Sequence, residues 1–207
     1  MSLMAQDVVF YDDFETGDTA GWWAPARVGK TGQTGCFDNA GAPIPCAGTG
    51  QDGELRPGVA WPSPRFSDNA DGTVTDMLTG LVWLKNADCF GSGGWIAALD
   101  FAENLASPAC GLTDGSVAGD WRLPSINELQ SLVDYGHSGP ALSNAAGTGQ
   151  WSSGDAFVNV QADHYWSSTS IEYVSSYAWY LYLYSGGVGG SDKISGQYFV
   201  WPVRNPG

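Results

Sequence analysis

The run Trp179-Tyr180-Leu181-Tyr182-Leu183-Tyr184 alternates with a period of two, which is the pattern of a strand and not of a helix. As a strand it sends Trp179, Leu181 and Leu183 toward a core and Tyr180, Tyr182 and Tyr184 to the opposite side. The run lies within a stretch from Tyr173 to Tyr198 in which Tyr, Ser and Gly supply most of the residues. Tyr carries a large amphipathic ring on only two side-chain torsions, so it gives contact area at low ordering cost, while Ser and Gly around it adapt to varied partners. Left open to solvent, a row of this kind is a binding surface. Packed under another layer, it is an ordinary run of good strand formers.

The rest of the composition narrows the class. At 207 residues the chain suits one domain, long enough to bury about 70% of its unfolded surface, so a monomer is expected. Only 8 Lys and Arg oppose 22 Asp and Glu, for a formal charge of -14. That field repels phosphate and sulfate polymers, which excludes nucleic acid and heparin-like partners from the expectation. Ten Trp beside 29 Gly and 11 Pro describe a loop-rich fold pinned by aromatic anchors, with Trp83, Trp121, Trp166, Trp179 and Trp201 as the expected scaffold.

Cys36, Cys46, Cys89 and Cys110 fall in two local pairs with no CxxC spacing, and His137 and His164 lie far from all of them in sequence. Disulfides in an exported protein, extracellular or at the cell surface, account for them better than a zinc site. Four cysteines permit three pairings, which sequence alone does not separate; nearest neighbours, Cys36 with Cys46 and Cys89 with Cys110, are the expected pairs. No stretch approaches the ~20 apolar residues of a membrane-spanning helix. Met1-Ser2-Leu3 reads as a leader joined to a mature chain from which a signal peptide or lipid anchor has been removed. Residues 1–28, with a short apolar strand and an acidic turn between Val8 and Trp23, are expected to form a leader or linker, and residues 29–207 the domain proper.

Within that domain Gly29 to Pro64 reads as ordered but irregular. A hairpin follows, with Arg65 to Asn69 leading into Asp71-Gly72 and Thr73 to Asp76 returning. Asp68, Asp71 and Asp76 raise the question of calcium, but Ala70 stands where a ligand is wanted and no Glu closes the loop, so a turn role is expected. Leu78 to Leu84 reads as a buried strand with Trp83 inward. Helices are expected over Trp95–Leu105, with Trp95, Ala98, Leu99, Ala102 and Leu105 on one face, and over Ser125–Tyr135, where Ser125 and Glu128 form a capping box ahead of Leu129, Leu132 and Val133. From Tyr165 onward the chain reads as strands and turns. The fold class is α+β, with the first and last strands expected to pair.

Four segments in order carry a resemblance: Phe66 to Asp76 with Thr79-Gly80-Leu81-Val82-Trp83; Gly119-Asp120-Trp121-Arg122-Leu123-Pro124-Ser125 with Glu128-Leu129; Tyr165-Trp166-Ser167-Ser168-Thr169; and Val200-Trp201-Pro202-Val203-Arg204. Together, over roughly residues 29 to 204, they resemble the C-terminal domain family of the bacterial collagen-like adhesins, which is similar to C-type lectin folds. The resemblance implies a compact domain whose loop-and-strand surface displays ligand-binding residues. The Tyr/Ser/Gly stretch ahead of Val-Trp-Pro-Val-Arg is also similar to the variable region of a protein diversified by a retroelement. Such systems rewrite adenines in Asn codons, reaching Tyr, Ser, Gly, Asp, Ile and Val but never Trp, Glu, Gln, Lys or Met. Tyr173, Ser175, Ser176, Tyr177, Tyr180, Tyr182, Tyr184, Ser185, Gly187, Gly189, Gly190, Ser191, Asp192, Ile194, Ser195, Gly196 and Tyr198 all belong to the reachable set and are the candidate binding residues. Trp179, Leu181, Leu183 and Trp201 are the constant scaffold on that reading.

The expected ligand is a protein or other macromolecular surface, with a glycan held by a fixed site as the alternative. Relatives similar to the formylglycine-generating enzyme work through a cysteine pair, but here the cysteines read as structural. Ser167 or Ser168, His164 and an Asp can be assembled into a triad on paper, yet no nucleophile-elbow pattern surrounds either serine. Asp163-His164 reads instead as a turn with a satisfied histidine. The Glu-Pro-Asn or Gln-Pro-Asp and Trp-Asn-Asp runs of calcium-dependent lectins are absent. No catalytic residue, metal or cofactor is expected.

Overall fold

The computed structural model describes residues 28–206; the leader or linker expected over residues 1–28, with its short strand, falls outside them but for Val28. Among the described residues two larger sheets, a two-stranded ribbon and two principal helices make a mixed α+β fold. The first sheet contains β3 (Phe66–Asp68), β4 (Thr73–Asp76), β5 (Val82–Leu84) and β11 (Val203–Arg204), antiparallel throughout in the order β11-β5-β4-β3. The second contains β6 (Ser92–Gly93), β7 (His164–Ser170), β8 (Tyr177–Tyr182), β9 (Gly187–Asp192) and β10 (Tyr198–Phe199), in the order β6-β10-β7-β8-β9 with β10 parallel to β7. A short ribbon of β1 (Cys36–Phe37) and β2 (Pro43–Ile44) and a one-turn helix, α1 (Asp52–Leu55), precede them.

The expected hairpin is present as β3 and β4. Its carboxylates hold turns: Asp68 Oδ1 accepts from the Ala70 N–H at 3.0 Å, Asp71 Oδ1 from the Thr73 N–H at 3.0 Å, and Asp76 Oδ1 from the Leu78 N–H at 2.9 Å. Gly72 has a φ of 88° and a Cβ there would lie 2.5 Å from the Gly111 carbonyl oxygen, so both conformation and packing require glycine. The strand expected over Leu78–Leu84 is confined to Val82–Leu84, because Asp76 to Leu81 closes a turn through Gly80, whose φ is 76°. The last strand returns to the first sheet, where it pairs with β5; the opening strand expected near Val8 lies outside the described residues.

Helix α2 (Trp95–Glu103) buries Ala98 and Ala102, with Leu105 buried just beyond it. Helix α3 (Ile126–Ser131) carries the expected capping box, Ser125 Oγ accepting from the Glu128 N–H and Glu128 Oε2 accepting from the Ser125 N–H at 2.8 Å. It stops short of Tyr135. There the chain pairs instead with the segment opposite, Val133 bridging to Leu142 and the Asp134 N–H donating to the Ala141 carbonyl at 3.0 Å.

Trp83, Trp121, Trp166 and Trp201 are buried, and Trp201 lies edge-on to Trp83 and Phe157 while its indole N–H donates to the Leu84 carbonyl at 2.8 Å. Trp179 departs from expectation: it is only half-buried and lies outside both core clusters. Its period-two partners Leu181 and Leu183 do enter the core, where Leu129, Leu132 and Val133 from α3 and the turn after it meet them. The disulfides are Cys36–Cys46 and Cys89–Cys110, with Cα separations of 5.2 and 5.7 Å.

A fully buried ion pair stands at the first sheet, beside Trp61 of the preceding segment. Arg65 and Asp76 are both fully buried, 4.0 Å apart, with the guanidinium stacked 4.0 Å from the Trp61 ring and donating to the Ser131 carbonyl. Desolvation raises the Asp76 carboxyl above the ordinary range and lowers Arg65, each opposed by the other's charge.

Candidate ligand-binding surface

Strand β8 puts Ala178, Tyr180 and Tyr182 on one face of the second sheet and Trp179 and Leu181 on the other. Helix α2 covers the Ala178 end of the first face, where Ala98, Ala102 and Trp166 enclose it. Beyond the helix the face is aromatic. His164 on β7 stands opposite Tyr182, its imidazole stacked on that ring at 4.4 Å and 15°, and on Tyr198 of β10 at 4.9 Å and 27°. Tyr184, in the turn after β8, stacks on Tyr182 at 5.7 Å and 17°, and Tyr180 meets His164 and Tyr198 edge-on at 4.8 and 4.9 Å. The result is a row of four near-parallel rings, Tyr184, Tyr182, His164 and Tyr198, flanked by Tyr180. Mutual stacking consumes most of the ring faces, so edges and hydroxyls are what the row presents. Among the described residues the Tyr180, Tyr182, Tyr184 and Tyr198 hydroxyls have no hydrogen-bond partner in the protein, while burial, and secondarily the Tyr198 phenol, push the Tyr180 phenol upward.

His164 was expected in a turn. It opens β7 instead, because the Leu183 N–H donates to the Asp163 carbonyl at 2.9 Å and extends the β7–β8 ladder past Tyr182. Its Nδ1 lies 2.5 Å from Asp163 Oδ1, which fixes the ring in the stack. Sequence reasoning did not count it among the binding residues, because His164-Tyr165-Trp166 carries no period-two signal; Tyr165 and Trp166 are both fully buried.

The other candidate residues gather at the two ends of the same sheet. At one end Tyr173, Ser175 and Ser176 occupy the β7–β8 turn beside Tyr177, Asp192, Ile194 and Ser195, with Tyr173 and Ile194 82% and 88% exposed. Lys193 ties this end together: its N–H donates to the Ser176 carbonyl, and its Nζ donates to Ser170 Oγ at 2.7 Å and the Ser175 carbonyl at 2.8 Å while lying 4.2 Å from the Trp95 ring. Asp192 Oδ1 accepts from the Ser195 and Ile194 N–H groups and the Ser195 hydroxyl, bonds that hold its carboxyl below the usual range. At the other end Tyr184 and Ser185 form the β8–β9 turn leading to Gly187, and the Gly139 N–H donates to the Tyr184 carbonyl at 2.7 Å. Ser191 belongs to the first of these ends, opposite Ala178 and next to Asp192.

Three candidate glycines are held by packing. A Cβ at Gly189 would collide with the Tyr180 phenol, one at Gly190 with Ile171 Cδ1, and one at Gly196 would lie 2.6 Å from Trp166 Cζ2. None of them has a positive φ, so the restriction is steric.

The paper triad is not assembled. Ser167 Oγ donates to the Trp179 carbonyl at 2.7 Å, and Ser168 Oγ to the Pro124 carbonyl at 3.2 Å. All four cysteines are in disulfides, and no group of three or more His, Cys, Asp or Glu suited to a metal occurs among the described residues.

The two disulfides point to an oxidising, exported location, and no helix among the described residues is long and apolar enough to cross a membrane. No curated protein matches the chain. The model of the Lcl C-terminal domain matches residues 72–204, from the β3–β4 turn to the last strand, and the chain belongs to that family.

Proposed function

We propose that residues 29–207 form an exported, non-enzymatic ligand-binding domain of C-type lectin-like architecture, whose site is the aromatic face and the two turn clusters of the second sheet. The observation that carries this reading is the row Tyr184, Tyr182, His164, Tyr198 with Tyr180: five aromatic side chains outside the covered end of the sheet, with four phenolic hydroxyls unclaimed by the described protein. Aromatic anchors of this kind concentrate binding energy when a partner desolvates them. A protein or other macromolecular surface fits better than a sugar, because a sugar ring stacks on an open aromatic face and these faces are mostly taken up by one another. A stable complex usually takes about 800 Å² and about 20 to 30 residues from each partner, and the candidate residues with His164 are a large part of that number.

The same surface is suited to retroelement diversification. Tyr173, Ser175, Ser176, Tyr177, Tyr184, Ser185, Ile194 and Ser195 are exposed and free to change, whereas Gly189, Gly190 and Gly196 are expected to stay glycine in every variant because of the side chains packed on them. Sequencing the DNA around the gene tests this: a reverse-transcriptase gene and a partial repeat differing at adenines are expected, with none of the differences at those three codons. Absence of both removes diversification and leaves binding. Binding itself is tested by replacing Tyr184, Tyr173 and Ile194 together with Ser and measuring attachment to host-cell or bacterial surfaces displaying the natural ligand; unchanged attachment by a folded variant removes this site.

A further inference from the structure

Among the described residues strand β9 is the long free edge of the second sheet, hydrogen-bonded to β8 alone. The direction of its outer groups follows from its neighbours. The Trp179 carbonyl accepts from Ser167, the Tyr177 carbonyl from the Ile171 N–H, and the Leu183 N–H donates to Asp163, so odd-numbered residues of β8 face β7. Even-numbered residues therefore face β9, where Ala178, Tyr180 and Tyr182 stand opposite Ser191, Gly189 and Gly187. Val188 and Gly190 are left with both N–H and C=O turned outward, and residues 187–191 make no backbone hydrogen bond beyond the β8 ladder among the described residues.

Such edges are ordinarily blunted by Pro, by a projecting Lys, by a bulge or by brevity. This one has six residues in unbroken register, no Pro, and a terminal Lys193 folded back onto Ser170, Ser175 and Trp95. Its glycines also let neighbours lean over it. Tyr180 lies across Gly189 on one face and Ile171 across Gly190 on the other, so a strand added outside β9 would find a phenol on one side and an aliphatic side chain on the other.

We propose that β9 captures an extended, basic peptide segment by strand addition, with its backbone on Val188 and Gly190, basic side chains on the Tyr180 face and apolar ones on the Ile171 face. Charge selects this occupant. Lys193 is the only Lys or Arg between residues 123 and 203, against six Asp or Glu, and two copies of a chain at -14 repel one another edge to edge. The proposal goes beyond the aromatic-face reading, since it needs only the backbone of one strand and the two side chains that lean over it.

The test is a titration of the full, isotope-labelled chain, disulfides intact, with a capped hexapeptide of alternating lysine and valine. The Val188 and Gly190 amide resonances should shift, and their hydrogen exchange should slow at least tenfold. The same peptide N-methylated at alternate residues should not bind, and a glutamate–valine hexapeptide should bind at least tenfold more weakly. Val188→Pro removes an outward N–H without touching the β8 ladder and should abolish peptide binding; if it fails to fold, the N-methylated peptide decides alone. No change at these two amides with millimolar peptide, equal binding of the N-methylated form, or a concentration-dependent dimer that protects the same amides without peptide would each overturn the proposal. Peptide binding that survives the Tyr184, Tyr173 and Ile194 substitutions, with natural attachment lost, separates this edge from the aromatic face.

Discussion

Glu128 joins two roles in one carboxylate. It closes the capping box of α3 and forms a two-pronged pair with Arg122, whose Nη1 and Nη2 donate to its oxygens at 2.8 and 2.6 Å. Burial alone would raise its pKa, but the Arg122 and Ser125 hydrogen bonds outweigh that and hold the carboxyl low. A carboxyl lowered in the folded state adds stability that is complete above its unfolded pKa, about 4.3, and is lost as pH falls through the folded value. Glu128→Gln should therefore cost about 1 to 2 kcal/mol at pH 7 in denaturant melts, with the gap from wild type closing below about pH 4; a gap that stays constant into acid would contradict this assignment. The tyrosines divide in the same manner by burial. Tyr184 is 49% exposed, so Tyr184→Ser should stay within about 0.5 kcal/mol of wild type, whereas Tyr182→Ser, which removes a ring held between His164 and Tyr184, should cost about 1 kcal/mol or more. Period two told which way these rings point but not how far they bury, because that depends on His164 and Tyr198 arriving from strands whose pairing no local pattern states.

Local signals set the elements well where one residue's chemistry suffices. Asp71-Gly72 makes the β3–β4 turn, and Ser125 with Glu128 starts α3. Element ends were less legible. The apolar spacing of Leu129, Leu132 and Val133 suits a longer helix, yet residues 133–134 pair with 141–142, a contact that propensity does not contain. Glycine in β9 and its following turn reads from sequence as an adaptable surface, and the packed structure gives three of these positions a different reason. Gly196→Asn should lower stability by about 1 to 3 kcal/mol, since Trp166 is fully buried and has nowhere to yield. Ile194→Asn, two residues away and almost wholly exposed, should leave the thermal transition in place. Equal melting of the two variants would show that the turn relaxes around Trp166.

At the scale of the molecule, fold class and four of the five tryptophan anchors follow from sequence, and the disulfides are the nearest-neighbour pairs that were expected among three possibilities; the sheet order does not follow, because β10 and β11 join strands far away along the chain. The two disulfides should differ in weight. Loop entropy gives each about 3 kcal/mol, but Cys89 and Cys110 pack against the main core whereas Cys36 and Cys46 staple the outlying β1–β2 ribbon. Replacing Cys89 and Cys110 with Ala should therefore lower the global melting transition, while replacing Cys36 and Cys46 should chiefly raise hydrogen exchange near β1 and β2. Equal loss of global stability in both would show that the ribbon is part of the cooperative unit.

The two closing strands have one more consequence. Tyr198 to Arg204 begins at the last candidate binding residue and follows all the others, yet it supplies an inner strand to the second sheet, an outer strand to the first, and Trp201 to the main core. During synthesis neither sheet is complete until this tail emerges, so folding waits for the whole Tyr/Ser/Gly-rich stretch to have been made. Any change between Tyr173 and Ser195 is then judged as a whole, by whether it lets the tail dock and close both sheets.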